Sequence, residues 1–350
     1  MMEAPVLGRS ALSGRIPVSI VTGFLGSGKT TLVNKLLKRP DMNKVAVIVN
    51  ELGEQAIDND LVEVSSEQMM LLNNGCLCCV LRGDLQETLR DLFVKRRNGE
   101  IIDFDRVVIE TTGLADPAPV MQTLMTDTML QSQYRLDAVI SLADAVNGVE
   151  QLNTLSEPVK QAALADRIVI TKSDIATQEQ VAKLEARLRD FNQSAPIQRA
   201  INGEIELAFL IDVALRSTRS RLEDVERWMG DEHQHHDEHG HAHRHDSGVK
   251  SFCIRYDRAF SWTSFSQCME VLATLRGPDL FRVKGLVNVT GHKGPLIVQG
   301  VQHLFHPPIE LEAWPTADQQ TRIVFITRGI SEDMIRNLFA AITSVAAAAA

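Results

Sequence analysis

Five short apolar runs punctuate the first half of the chain. Residues 16–22 (IPVSIVT), 44–50 (KVAVIVN), 105–111 (DRVVIET), 136–142 (LDAVISL) and 166–171 (DRIVIT) are rich in Val and Ile. Continuous apolar runs of this length suit strands buried on both faces, the pattern of a parallel sheet. Between them the spacing turns helical, as in KTTLVNKLLKR and EQVAKLEARLRDF. Strand–helix alternation predicts an α/β domain whose helices cover a mostly parallel sheet.

The pattern breaks at residues 231–246, DEHQHHDEHGHAHRHD, with seven histidines, five acids and almost nothing apolar. Such a stretch cannot bury a core and reads as a disordered linker. A second pattern follows. VKSFCIRY reads as a strand and SWTSFSQCMEVLATL as an amphipathic helix. LFRVKGLVNVT, PLIVQGVQ, IELEAW and TRIVFITRG read as strands, and SEDMIRNLFAAI as a closing helix. Strands in a row with a helix at each end predict a smaller α+β domain. The expected organisation is a tail over 1–15, the α/β domain over 16–230, a linker over 231–248, the α+β domain over 249–345 and a low-complexity alanine tail over 346–350.

Composition narrows the function. A formal net charge of −9 and the lack of any Lys/Arg block argue against a nucleic-acid surface. No apolar run has the length of a membrane span. The first residues lack the apolar stretch of a secretory signal, although their Arg and Ser content leaves a transit peptide open. Five cysteines are too few, and odd in number, for a disulfide scaffold. The chain therefore reads as cytoplasmic, with reduced thiols. Three of the five, Cys76, Cys78 and Cys79, fall within NNGCLCC. Clustered thiols suggest metal or redox chemistry; an apolar turn that happens to use Cys is the alternative. Cys253 and Cys268 sit on strand and helix patterns and read as core. His292, His303 and His306 receive no role.

The segment 23–30, GFLGSGKT, fits G-x-x-x-x-G-K-[ST] between a strand and a helix. Gly23, Gly26 and Gly28 let backbone N–H groups, with those of Ser27 and Thr31, turn inward around phosphate oxygens at a helix N-terminus. Lys29 is expected to reach the β- and γ-phosphates, and the Thr30 hydroxyl to bind Mg²⁺. A carboxylate that helps hold Mg²⁺ through water is expected from a neighbouring strand. RVVIETTG supplies Glu110, followed by Gly113, whose N–H suits a γ-phosphate. Farther on, ITKSD places Asp174 where a carboxylate can accept from guanine N1–H and N2–H₂, a donor pair that adenine lacks. Lys172 would lie along the base. GTPases usually carry Asn where this chain has Thr171, a departure that removes one polar contact. A solvated helix cap at Ser173 or Asp174 is the alternative.

GFLGSGKTTL, VNELGEQAIDND, NNGCLCC, ETTGLADPAPV and TKSD occur in the order of the CobW-type GTPases, which include the zinc-regulated GTPase metalloprotein activators. RVKGLV, QGVQ and RIVFITRG resemble the C-terminal domain of that family. The resemblance covers residues 16–340. It implies a GTPase that binds zinc, or a related divalent ion such as Co²⁺ or Ni²⁺, and hands it to a client metalloenzyme. Thiolates at Cys76, Cys78 and Cys79 suit Zn²⁺ and leave one tetrahedral position open. Glu51, in the stretch that resembles the nucleotide-sensing switch, can complete the shell, position the attacking water or make a salt bridge. His233, His235, His236, His239, His241, His243 and His245 can collect metal without imposing one geometry. The expected partners are guanine nucleotide, the client and a second copy of the chain in a homodimer. A metal buffer with a regulatory nucleotide site and a P-loop small-molecule kinase are the competing readings.

Overall fold

A computed structural model describes residues 14–42, 44–50, 69–71, 77–81, 84–211, 248–314 and 318–348. Among these, one sheet contains β1 (Ile16–Gly23), β2 (Val45–Asn50), β3 (Met69–Leu71), β4 (Leu77–Leu81), β5 (Arg106–Glu110), β6 (Tyr134–Asp144), β7 (Arg167–Thr171) and β8 (Ile197–Arg199). Their order is β3-β4-β2-β5-β1-β6-β7-β8. All neighbours are parallel except β3 and β4. The five apolar runs are the five central strands. β1 lies between β5 and β6, so the chain leaves it in one direction and crosses to the other side later. That reversal opens a crevice at the carboxyl end of β1.

Every residue of β1 is buried, because both sheet faces are covered. Val18 and Ile20 enter one apolar core, while Val21 joins a second core with Leu32, Val33 and Leu36 of α1 (Lys29–Leu37). The first core takes apolar residues from α2 (Leu85–Asn98), α3 (Ala118–Thr126), α4 (Thr128–Gln133), α5 (Gly148–Thr154), α6 (Ser156–Leu164) and α7 (Gln178–Phe191). Local chemistry sets the helix ends. The Asp84 carboxylate accepts the Gln86 N–H at the start of α2. Thr177 and Gln180 form a reciprocal capping box at the start of α7.

The second unit has an antiparallel sheet ordered β12-β11-β10-β14-β9. Its strands are β9 (Val249–Tyr256), β10 (Leu280–Val287), β11 (Leu296–Val301), β12 (Leu304–Phe305) and β14 (Thr321–Arg328), with β13 (Ile309–Glu310) paired to β11. Helices Trp262–Arg276 and Glu332–Ala348 cover one face through Phe265, Cys268, Leu272, Ile335 and Phe339. Val249, Phe281, Val301 and Ile326 instead join the core of the α/β layer. Burial pushes the Cys268 thiol up to about 12, as expected of a core cysteine.

Three expectations change. IELEAW supplies only the two-residue strand β13, held against Leu296 and Ile297. The last helix passes the expected domain end at 345 and runs through Ala348, because alanine favours helix more than any other residue. Cys78 and Cys79 belong to a strand, not a turn. β4 pairs them with Val47 and Ile48 of β2 and with Met70 and Met69 of β3.

A polar contact joins the two sheets. Asp166, between α6 and β7, pairs with Arg282 at 2.7 Å and with Lys284, both on β10, and accepts the Val139 N–H at 2.9 Å. Burial alone would raise its carboxyl, but the two cations hold it well below the usual carboxylate range. Gln122 of α3 donates to Gln302 after β11 at 2.6 Å.

Candidate functional site

At the carboxyl end of β1 the chain turns through Phe24–Gly28 into α1, and the Ser27 N–H donates to the Phe24 carbonyl at 3.1 Å. Gly28 holds φ 88°, which favours glycine over any residue with a side chain. A Cβ there would stand 3.7 Å from the Thr171 methyl, an ordinary contact, so the requirement is conformational rather than steric.

Lys29 is only 8% exposed. Its ammonium turns back over the loop and donates to the carbonyls of Gly23 at 2.8 Å and Phe24 at 3.1 Å. Burial lowers its pKa, and the nearby Glu110 carboxylate partly restores it. Thr30, exposed at the start of α1, donates to Glu110 Oε1 at 2.6 Å. Glu110 ends β5, eighty residues away in sequence. Thr31 is exposed on the same turn. The buried Ser27 hydroxyl has no hydrogen-bond partner among the described residues. Hard oxygens from Thr30 and Glu110, beside helix N–H groups and a buried ammonium, form a donor set that fits Mg²⁺ with phosphate.

Gly113 lies beside this loop. A Cβ on it would come within 2.7 Å of the Leu25 backbone N and 2.8 Å of its Cα, so only glycine lets the two loops approach this closely. Thr111 links them farther back: its N–H donates to Val21 O, and its hydroxyl to the Thr22 hydroxyl at 2.9 Å.

The segment expected to read the base, residues 171–174, starts at the last residue of β7. The buried Thr171 hydroxyl donates to the Ser27 carbonyl at 2.8 Å and so braces the loop between β1 and α1. Lys172 has φ 57° and gives its ammonium to Asp144 Oδ2 at 2.7 Å. Asp144 also accepts the N–H of Val146 and the Asn147 side chain. Burial would raise its carboxyl, but Lys172 and these donors bring it below its usual range. Asp174 is exposed at the mouth. Sequence reasoning passed over two contributors here. Asp144 sits at the end of β6 in an otherwise apolar run. The turn at Asn202 and Gly203, both at positive φ, places Gly203 against Thr31 and Lys35 of α1. A residue pair of the type Asn-Gly was the available signal.

Glu51, Cys76 and the histidines at 233, 235, 236, 239, 241, 243 and 245 lie outside the described residues. Among the described residues no group of three or more His, Cys, Asp or Glu converges as a metal site, and no helix is long and apolar enough to cross a membrane.

Comparison with known proteins gives a consistent result for both sheets. Residues 17–199 match the CobW/HypB/UreG nucleotide-binding domain, and residues 249–343 match the cobalamin synthesis protein cobW C-terminal domain. The chain is 34% identical over 332 residues to the zinc chaperone YjiA of Escherichia coli (strain K12), covering 93% of this chain and 98% of that protein. It is 27% identical to zinc-regulated GTPase metalloprotein activator 1 of Saccharomyces cerevisiae, over 93% of this chain and 82% of the relative. The crystal structure of Zn(II)-bound YjiA GTPase from E. coli superposes with a TM-score of 0.72 at 33% identity, covering 94% of this chain and 99% of that one.

Proposed function

The chain belongs to the CobW family, and from that premise we propose that it is a GTP-hydrolysing metallochaperone that binds zinc and hands it to a client metalloprotein. The observation that carries the nucleotide half is the meeting of Lys29, Thr30 and Glu110, with Thr30 Oγ1 2.6 Å from Glu110 Oε1. The metal half rests on likeness, along nine-tenths of the chain, to proteins named zinc chaperones.

In this reading the Lys29 ammonium leaves the Gly23 and Phe24 carbonyls for the β- and γ-phosphates and neutralises charge that grows as the terminal phosphoryl leaves. Thr30 and Glu110 hold Mg²⁺, which supplies further charge neutralisation when bound. Gly113 offers its N–H to the γ-phosphate, and Gly23, Gly26, Ser27, Gly28 and Thr31 line the phosphate loop. Asp174 selects guanine, while Thr171 and Lys172 shape the wall behind the base. Slow intrinsic turnover is expected, as for GTPases that receive their arginine finger from a partner.

Zinc is the cargo. Cys76, Cys78 and Cys79 bind it with Glu51 alongside, and the histidines at 233–245 collect metal at lower selectivity. β4 carries Cys78 and Cys79 beside β2, which leads directly toward Glu51. That adjacency supports a shared element that senses both nucleotide and metal. The client is a metalloprotein of the same reducing cytoplasm, and a homodimer is the proposed assembly.

The test is zinc affinity with a GTP analogue, with GDP and without nucleotide, in the parent and in Cys78→Ser. Linkage makes coupling reciprocal, and about 5–150-fold is the usual range. Cys78→Ser should remove the coupling and leave GTP binding intact. Identical zinc affinity in all three parent states would leave a metal buffer as the better description.

A further inference from the structure

One buried polar side chain near the nucleotide end has no part in the reading above. Gln161 is 1% exposed on α6, among the buried apolar residues Val159, Ala162, Ala163 and Leu164. Its Nε2 donates to the carbonyls of Gly113 and Ala115, each at 3.1 Å. Its Oε1 is buried without a hydrogen-bond partner among the described residues. The orientation of the amide is therefore unambiguous: reversed, it would set an oxygen against two carbonyl oxygens. Such an orphan acceptor is costly, and an apolar side chain would suit the helix better if packing were the sole demand.

We propose that Gln161 is a positioning residue for the hydrolysis proposed above, setting the peptide planes of the Gly113 loop for the terminal phosphate. A trans peptide points its N–H opposite to its carbonyl. With the carbonyls of Gly113 and Ala115 drawn to α6, the N–H groups of Leu114 and Asp116 turn away from α6, and the plane that carries the Gly113 N–H is tied to them because the Ala115 N–H donates to the Thr112 carbonyl at 3.2 Å. One amide thus orients two peptide planes in the loop that Gly113 presses against Leu25. The neighbouring residue strengthens the hold: Lys160 lies 3.5 Å from Asp116, whose other oxygen caps α3 through the Ala118 N–H.

The frame behind Gln161 is rigid. The Asn192 side chain donates to the carbonyls of Ala162 and Ala165 at 2.9 Å each, closing the end of α6. Asp166, two residues beyond the helix, is clamped to Arg282 and Lys284. The loop is therefore held by a helix that is itself fixed from both sheets. A positioning group acts through geometry, and misplacement of about 1 Å can cost about 100-fold in rate.

The inference rests on GTP hydrolysis by this chain, so the parent protein is assayed first. Absence of phosphate release from the parent would count against the proposed function itself. With the parent active, Gln161→Met, of similar volume without donors, should lower kcat by about 10–100-fold. GDP affinity should stay within about twofold, because GDP lacks the phosphate that the loop addresses. Gln161→Glu should be impaired at pH 8, where a carboxylate faces two carbonyls. Its kcat relative to the parent should recover toward pH 6, because a protonated acid in that apolar setting can donate again. Parent-like kcat in both variants would overturn the proposal. So would loss of kcat, GDP affinity and Tm in step with no pH-dependent recovery in the Glu variant, the signature of a purely structural residue.

Discussion

Two buried lysines serve this molecule in opposite ways. Lys29 at the phosphate loop and Lys284 between the sheets are almost equally enclosed, at 8% and 7% exposure. Burial depresses both pKa values, Lys284 to about 8. Their partners differ. Lys29 is satisfied by two neutral carbonyls, and the Glu110 carboxylate beside it is engaged by Thr30. Lys284 shares a full carboxylate, Asp166, with Arg282. A carbonyl is a weaker acceptor than an anion, so a phosphate can outcompete the partners of Lys29. No neutral or solvated group can outcompete Asp166 without leaving two buried cations facing each other. In the proposed function the same residue type thus makes a displaceable latch at one site, and between the sheets it makes a permanent joint.

The comparison is broken most sharply at the latch. Lys29→Ala is expected to cut phosphate release from GTP by about 100–1000-fold, the scale of losing one charge-stabilising group. Its Tm should stay near the parent's, because the ammonium holds only two neutral backbone carbonyls, and removing it leaves the buried Glu110 carboxylate its Thr30 partner. Equal release rates in the two proteins would take Lys29 out of the mechanism.

The joint should respond in stability. Asp166→Asn leaves Arg282 and Lys284 uncompensated and should cost about 3–5 kcal/mol in urea unfolding. The carboxyl is held below its ordinary value of 3.8. Its contribution is therefore present above about pH 4 and lost as pH falls further, and the acid limb of a stability–pH curve should be shallower in the Asn variant. An unchanged midpoint and curve would show that the contact contributes nothing.

Thr171→Val sharpens the contrast on a smaller scale. It deletes the hydroxyl that donates to the Ser27 carbonyl and keeps the shape. Nucleotide affinity should fall by about 1 kcal/mol, or roughly fivefold. Titration calorimetry with GDP reads this directly, and parent-like affinity would mean that the loop needs no brace.

The smallest effect is expected at His306. Burial, reinforced by Arg282 and opposed by Asp166, lowers its pKa from 6.5 to about 4. The folded protein keeps it neutral while the unfolded chain takes up a proton, so stability falls as pH drops from 6.5 toward 4. Between pH 7 and 6 the loss should be under about 1 kcal/mol. His306→Gln should flatten that limb; an identical slope would place the titration elsewhere.

The legible parts of the molecule were those written in neighbouring residues. The five Val- and Ile-rich runs became the five central strands because burial on both faces demands apolar side chains at every position. GFLGSGKT became a loop and helix start because its glycine φ values and its helix formers are local properties. Glu110 was legible for a related reason: an acid at the end of an apolar run lands at the carboxyl edge of a parallel sheet. Strand β4 at Cys78 and Cys79 was not legible, because it needs β2 and β3 beside it and a five-residue run with two cysteines carries little apolar period of its own.

Sequence alone therefore determined the order of the elements, the phosphate loop and the type of chemistry, since each follows from contacts within a few residues. Tertiary structure alone decided what depends on distant partners. Thr171 braces Ser27 across 144 residues, and Gln161 reaches Gly113 across 48. Asp166 meets Arg282 across 116. A lone polar residue in an apolar pattern looks the same whether it is an error of burial or a joint. Only the fold supplies the partner that lowers the cost of burying it, and so only the fold separates the latch from the joint.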